Sequence, residues 1–224
     1  MAYFTQDYLD FFIELAANNN KDWFDLNRKR YENSVKKPFA EFVQTFIDHL
    51  AKSHPMFRDL TASECIFRIN RDIRFSKDKS PYKLMCSAVV APSGKKSKSI
   101  HGVYFEFGPE EVRVYGGVYE IEKDDLFLVR EGIARNMEEF NALIHDKQFV
   151  ELFGEVRGDR NKIAPKEFRK EAELQPYILN KQWYFFTKFE ADLILQDHLL
   201  ETLEHCFHVG MPLESFFNQF IQRP

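Results

Sequence analysis

The chain has 224 residues, of which 31 are Lys or Arg and 35 are Asp or Glu, and its formal net charge at pH 7 is −4. Hydrophobic residues make up 44% and charged residues 29% of the chain, fractions that exclude disordered, collagen-like and low-complexity proteins. A chain of this length can bury a sizeable core, and we expect a single domain over residues 1–224. With 24 Phe, 9 Tyr and 2 Trp, that core should be rich in aromatic rings.

The cysteines and the apolar segments indicate a compartment. Cys65, Cys86 and Cys206 are widely spaced and odd in number, so they predict neither a disulfide framework nor a CxxC metal pair. No apolar stretch is long enough for a transmembrane helix, and no basic region precedes the first apolar residues as in a signal peptide. We therefore expect a cytoplasmic protein with no membrane association and no cofactor. The sequence gives no indication of the oligomeric state.

The first 60 residues carry the helical period of 3.6. Thr5 is a typical N-cap for a first helix, the polar run 18–20 ends it, and a second helix is expected from Lys21 to about Val35. A third helix should begin at Pro38. Its apolar stripe consists of Phe39, Phe42, Val43, Phe46, Ile47 and Leu50.

The apolar pattern then changes to the period of two that is typical of strands. The four strands predicted here cover about 65–69, 84–90, 103–107 and 112–118. The turn at 108–111 is short enough to predict an antiparallel hairpin between the last two.

The C-terminal part returns to the helical period at Asp124. Residues 154–182 are polar and are predicted to form a long loop, whereas 183–189 predict a fifth strand. Two closing helices are expected, the second starting at Pro212. This order predicts an α+β fold in which an antiparallel sheet of about five strands carries N-terminal and C-terminal helices mainly on one face.

Basic residues concentrate in one window. Between Arg68 and Lys98, nine basic and two acidic residues give a net charge of +7, while the rest of the chain carries −11. Such a local field attracts anions without making the whole protein coat nucleic acid. The nine basic residues are Arg68, Arg71, Arg74, Lys77, Lys79, Lys83, Lys95, Lys96 and Lys98.

The centre of this window, residues 71–83, lies between two predicted strands, and we call it the basic connection. Its guanidinium, ammonium and hydroxyl groups suit phosphate or carboxylate ligands, although a solvated loop laced by ion pairs fits the same composition. Gly116 and Gly117 either leave space for a ligand above the sheet or let a helix or the loop pack closely. The predicted ligand-binding residues are Arg71, Arg74, Lys77, Lys79, Tyr82, Lys83, Gly116 and Gly117.

Three functions remain open for the basic connection. The first is binding of a phosphorylated small molecule, a nucleotide or a nucleic-acid backbone. The second is an enzyme acting on a phosphorylated substrate, with Asp72 or Asp78 as general base and the cations stabilising an anionic transition state. The third is a module that docks an acidic protein partner. In each case we expect both aspartates to pair with nearby cations, and Ile73, Phe75 and Tyr82 to anchor the loop.

Other sites receive weaker support. One face of a predicted helix from about Leu193 carries four residues with zinc-ligand chemistry, but an apolar stripe opposes it, so this is a solvent face and no metal site is expected. The four residues are His198, Glu201, His205 and His208. No GxSxG, GxxxxGK[ST] or GxGxxG motif occurs, which excludes those hydrolase and nucleotide-binding fingerprints.

The sequence also resembles a known family. The string RDIRFSKDKSPYK at 71–83 is similar to the central signature of the family catalogued as domain of unknown function 2461. One departure is Glu167, which stands where the family pattern has Gly. The resemblance extends over nearly the whole chain and implies a single fold, with no particular reaction. Its further landmarks are Asn18-Asn19, Trp23-Phe24, Asn27, Tyr31, Pro38, Gly116-Gly117 and 126–130.

Overall fold

The structure is a computed structural model that describes residues 2–96 and 102–221. Lys98, one of the nine basic residues of the window, lies outside the described residues. The chain divides into two compact units, and each unit draws on three separate stretches of sequence. Unit 1 consists of Met1–Lys96, Tyr104–Val114 and Lys188–Glu204, and unit 2 consists of Ser97–Val103, Tyr115–Thr187 and His205–Pro224. The single domain over residues 1–224 stays a prediction.

Helices flank the sheet in sequence, as the periodicity predicts. The second predicted helix is interrupted at Asn27, after which the chain stays helical through a π-helical segment, Tyr31–Lys36, directly into the helix that contains Pro38. The α-helices in the described residues are α1 (Gln6–Ala17), α2 (Lys21–Leu26), α3 (Arg28–Arg30), α4 (Lys37–Leu50), α5 (Ala62–Cys65), α6 (Lys123–Arg135), α7 (Met137–Ile144), α8 (Lys147–Phe153), α9 (Arg169–Leu174) and α10 (Leu199–Asn218).

The described strands form one antiparallel sheet in the order β1-β2-β3-β4, which confirms the α+β class and the β2–β3 hairpin. The strands are β1 (Cys86–Val90), β2 (Val103–Phe107), β3 (Glu111–Val118) and β4 (Trp183–Glu190). The sheet therefore has four strands where about five were expected. The segment predicted as the first strand makes only the isolated bridges Ile66↔Ala88 and Asn70↔Tyr82, because a bend at residues 84–85 interrupts the ladder between them.

The core of unit 1 forms where α4 packs against β2. All six apolar residues of the predicted α4 stripe are buried. Phe39, Phe42 and Phe46 each contact the ring of Phe105, with centroid distances of 5.9–6.1 Å. The amphipathic third helix and the aromatic core are therefore confirmed.

The core of unit 2 gathers rings from α7, α10 and β4. Phe140 lies 5.5 Å from Phe216 and 6.1 Å from Phe217, and Trp183 lies 5.9 Å from Phe217. The expectation that Pro212 starts a separate helix is wrong, because α10 runs through it without a break. Proline removes one helical hydrogen bond, but the rings of Phe216 and Phe217, which follow it, are buried and stabilise the helix by packing.

Residues 154–182 are more ordered than the predicted long loop. They include α9, short 3₁₀ turns at Lys166–Phe168 and Pro176–Leu179, and the bridges Arg157↔Tyr184 and Arg160↔Asn180. These elements could not be predicted from the polar composition of the segment, since backbone pairing requires no apolar pattern.

Candidate functional site

The two ends of the basic connection are fixed to each other. The amide of Arg71 donates to the carbonyl oxygen of Pro81 at 2.9 Å, and the amide of Lys83 donates to that of Ile69 at 2.8 Å. Together with the Asn70↔Tyr82 bridge, these bonds close the connection into a loop with a paired base.

Tyr82 anchors that base in unit 1. Its side chain is buried and stacks on Phe24 of α2, with ring centroids 4.0 Å apart. The side-chain amide of Asn19 accepts from the Tyr82 backbone N–H at 3.1 Å and donates to its carbonyl oxygen at 2.9 Å. Burial raises the pKa of the Tyr82 phenol, which therefore stays neutral. Sequence reasoning expected Tyr82 as an anchor but missed the roles of Asn19 and Phe24, because no local pattern links positions 63 residues apart.

Asp78 is bound entirely by its own loop. Its carboxylate accepts from the backbone N–H of Ser80 at 2.9 Å, from the Ser80 hydroxyl at 2.7 Å, and from the Arg71 guanidinium. These donors, with the Ser80 backbone first, lower the pKa of Asp78 to about 2. Arg71 also donates to the Ser80 carbonyl oxygen at 3.1 Å. The expected pairing of Asp78 with a cation is confirmed.

Asp72 pairs with Arg74 in the same way. Arg74 donates from Nε at 3.0 Å and from Nη2 at 2.7 Å, a two-pronged contact, while its backbone N–H donates at 3.2 Å. The Arg74 side chain and backbone lower the pKa of Asp72, and Asp72 in turn raises the pKa of Arg74. An exposed ion pair of this kind adds little stability, so its main effect is to orient the guanidinium.

The tip of the loop is open to solvent. Phe75 is 95% exposed, so the expectation that it anchors the loop is wrong. The Arg74 guanidinium lies 5.8 Å from the centre of this ring, and Lys79 Nζ donates to the Ile73 carbonyl oxygen at 2.9 Å. Among the described residues, no carboxylate forms an ion pair with Lys77 or Lys79, and both side chains are exposed.

Lys83 belongs to a different environment from that of the tip. Its ammonium group lies 5.4 Å from the centre of the Phe67 ring. Partial burial, aided by the charge of Arg68 and opposed by Glu106, lowers its pKa. Lys83 therefore faces the sheet residue Glu106, and we do not place it among the exposed donors.

Gly116 and Gly117 do not leave room for a ligand, which corrects one of the two expectations for this pair. A Cβ on Gly116 would lie 2.5 Å from the Phe185 ring and from Glu214, and a Cβ on Gly117 would clash with the Trp183 carbonyl oxygen. Gly117 also has a φ of +86°, which favours glycine. The glycines therefore serve close packing within unit 2.

The residue packed against these glycines is a buried acid that sequence reasoning missed. Glu214 is 2% exposed and accepts from the backbone N–H groups of Gly117 at 3.0 Å and Gly102 at 3.1 Å. Burial raises its pKa to about 8. Its position next to Leu213, in the apolar stripe of the closing helix, was the available signal.

The candidate zinc ligands and the apolar segments of the sequence lie outside the basic connection. Within 2–96 and 102–221, no three His, Cys, Asp or Glu side chains are placed to hold a metal ion, so His198, Glu201, His205 and His208 form no such group there. In the same ranges, no helix combines the length and the apolar character needed to cross a bilayer. The cytoplasmic location stays a prediction.

Comparison with known proteins confirms the resemblance in sequence. The model of a family described as conserved hypothetical protein (DUF2461) matches residues 7–216. This range includes the basic connection, its anchoring residues Asn19 and Phe24, and most of α10. None of the curated proteins compared with the chain matches it.

Proposed function

The chain belongs to the DUF2461 family, and we propose that its basic connection binds a phosphate-bearing anion: a phosphorylated small molecule, a nucleotide or a nucleic-acid backbone. One observation supports this above the others. Both carboxylates of the connection are used inside it, by Arg71, Arg74 and Ser80, so they do not neutralise the exposed lysines of the tip.

The charge of the loop is consistent with this function. Five basic and two acidic residues give residues 71–83 a net charge of +3. Some cations in the helices of unit 1, such as Arg28, Arg30 and Lys36, are each paired with a carboxylate. A cationic tip on a protein of net charge −4 concentrates anions locally, over roughly the 8–10 Å that salt allows.

The loop is also ordered before any ligand arrives. Its base is paired and anchored through Tyr82, and its two turns are fixed by Asp72 and Asp78. A site whose backbone is already fixed loses less conformational entropy on binding. The exposed side chains of Lys77 and Lys79 would then contact the phosphate from a fixed backbone.

Catalysis by the aspartates receives less support. A general base works best with a pKa near the working pH, whereas the pKa of Asp78 is about 2 and that of Asp72 is also lowered. Each would have to break its ion pair to accept a proton. We therefore propose binding without a catalytic step through these residues.

The test is a calorimetric titration of the wild-type protein with ATP and with a short single-stranded DNA at two salt concentrations. We expect Lys77→Ala and Lys79→Ala each to weaken binding by about 1 kcal/mol, since an exposed cation contributes less than a buried one. Lys52→Ala is the matched control, because Lys52 is exposed in unit 1 and lies outside the connection. For DNA, each lost contact should also reduce the salt slope by about 0.7.

The titrations distinguish a nucleic-acid surface, a small-molecule site and a docking site for an acidic protein. Lysine variants that weaken the binding of DNA but not of ATP would indicate a nucleic-acid surface. Variants that weaken the binding of ATP but not of DNA would indicate a small-molecule site. If wild type binds neither probe at low salt, the anion-binding function is wrong and docking of an acidic protein becomes the leading hypothesis.

A further inference from the structure

Arg130 is a buried cation in unit 2 that the basic connection does not explain. It lies on α6 and is 7% exposed. Its Nη2 donates to the carbonyl oxygen of Asn180 at 2.8 Å, but its Nε–H, also buried, has no acceptor among the described protein groups. A buried donor without an acceptor is destabilising, and more so when it is charged.

A second arginine converges on the same asparagine. Arg160 donates from Nε to the side-chain oxygen of Asn180 at 3.0 Å, and its guanidinium lies 5.3 Å from the centre of the Tyr177 ring. Asn180 is fully buried and its own amide donates to Gln182. One neutral residue therefore orients two guanidinium groups. A β-bridge also pairs the backbone of Arg160 with that of Asn180.

Within the described part of the chain, no acid neutralises this pair. Among the described residues, neither Arg130 nor Arg160 forms an ion pair with a carboxylate, although Glu155 and Asp159 lie close in sequence. Burial lowers the pKa of Arg130, yet a guanidinium stays protonated in proteins. A buried charge without a counter-ion is costly, and an oxyanion with several acceptor atoms would remove that cost.

We propose that Arg130, Arg160 and Asn180 form a second binding site, specific for a small oxyanion such as inorganic phosphate or the phosphate or carboxylate end of a metabolite. The ligand would accept from Arg130 Nε and from the Nη groups of Arg160, which the Nε contact with Asn180 leaves available. Guanidinium forks match both phosphate and carboxylate geometry. The site is independent of the basic connection and uses a segment, 154–182, for which the sequence indicated no role.

The test follows the Arg130 Nε–H group directly. Heteronuclear NMR spectra of the arginine Nε–H groups are recorded during titration with inorganic phosphate and, separately, with succinate as a dicarboxylate. We expect a saturable shift of the Arg130 signal at millimolar ligand or below. A response to phosphate alone identifies the ligand as phosphate-bearing, and a response to succinate alone identifies a carboxylate.

Variants test the assignment of the site. Arg160→Ala should weaken binding about tenfold or more, the effect of losing one charged hydrogen bond, and Arg130→Met should abolish it. Arg135→Ala is the matched control, because Arg135 lies on the same helix but is exposed and paired with Glu131 at 2.8 Å. Arg160 is exposed, so its variant stays informative if Arg130→Met does not fold.

The result also separates this site from the basic connection. Lys77→Ala should leave the phosphate-induced shift of Arg130 unchanged, whether or not the connection binds anions. No saturable shift with either ligand, or binding that Arg160→Ala does not weaken, would overturn the proposal and assign Arg130 a structural role.

Discussion

We expect Glu214 to make the stability of the protein depend on pH in a direction opposite to that of a salt-bridged acid. Burial raises the pKa of Glu214 from 4.5 to about 8, and the N–H groups of Gly102 and Gly117 compensate this only in part. Between these two values the unfolded chain releases the proton while the folded chain keeps it. The free energy of unfolding should therefore fall as pH rises through this window.

The size of the effect follows from the shift. Each pH unit inside the window costs up to about 1.4 kcal/mol, so the full effect is about 3–5 kcal/mol. Glu214→Gln removes the titration and keeps the shape. The glutamine has one acceptor oxygen for two backbone N–H groups, so the variant loses about 1–3 kcal/mol at every pH. It should therefore be less stable than wild type near pH 5 and more stable above about pH 8.

The assay is urea unfolding of both proteins at several pH values from about 5 to 9. The difference in unfolding free energy cancels the titration of all other groups, and its change of sign is the expected result. Glu201→Gln, an exposed acid on the same helix, is the control and should show no such dependence. A wild-type-minus-variant difference that stays constant with pH would refute the buried, protonated state of Glu214.

Two further predictions concern packing and anchoring. Gly117→Ala and Gly154→Ala both place a side chain at positive φ, but only at Gly117 would it clash, so we expect losses of about 1 kcal/mol at Gly154 and about 3 kcal/mol at Gly117 in urea unfolding. Asn19→Ala removes both hydrogen bonds to the Tyr82 backbone and should raise the hydrogen-exchange rate of the Tyr82 amide, with a stability loss of about 1–3 kcal/mol. Asn18→Ala, whose side chain donates to the Glu14 carbonyl oxygen of α1, should leave that rate unchanged, and equal rates in both variants would contradict the anchoring role.

Local patterns account for the parts of the fold that the sequence predicts well. The α4 stripe repeats at the helical period and the turn at 108–111 joins two alternating strands, so both elements carry their signal within a few residues. The exceptions depend on contacts distant in sequence. The bend at 84–85 and the uninterrupted helix at Pro212 arise from tertiary packing, which no window of local sequence contains.

The candidate site divides in the same way. The pairing of Asp72 and Asp78 with cations was predictable, because their partners lie within seven residues. The exposure of Phe75 was not, since an aromatic ring in a basic loop carries the same composition whether it is buried or exposed. The roles of Arg130 and Glu214 were hidden as well, because a single charged residue in a helix indicates burial only once its neighbours in space are known.

The two proposed sites share a physical principle that the net charge of −4 conceals. In the basic connection, acids within the loop orient the arginines and leave Lys77 and Lys79 without carboxylate partners among the described residues. In unit 2, a neutral amide orients Arg130 and Arg160 without cancelling their charge. Lys36, by contrast, is paired with Glu32, an acid one helical turn away. Cations that are oriented but not neutralised keep their field available to a ligand, and this is the argument that both binding proposals share.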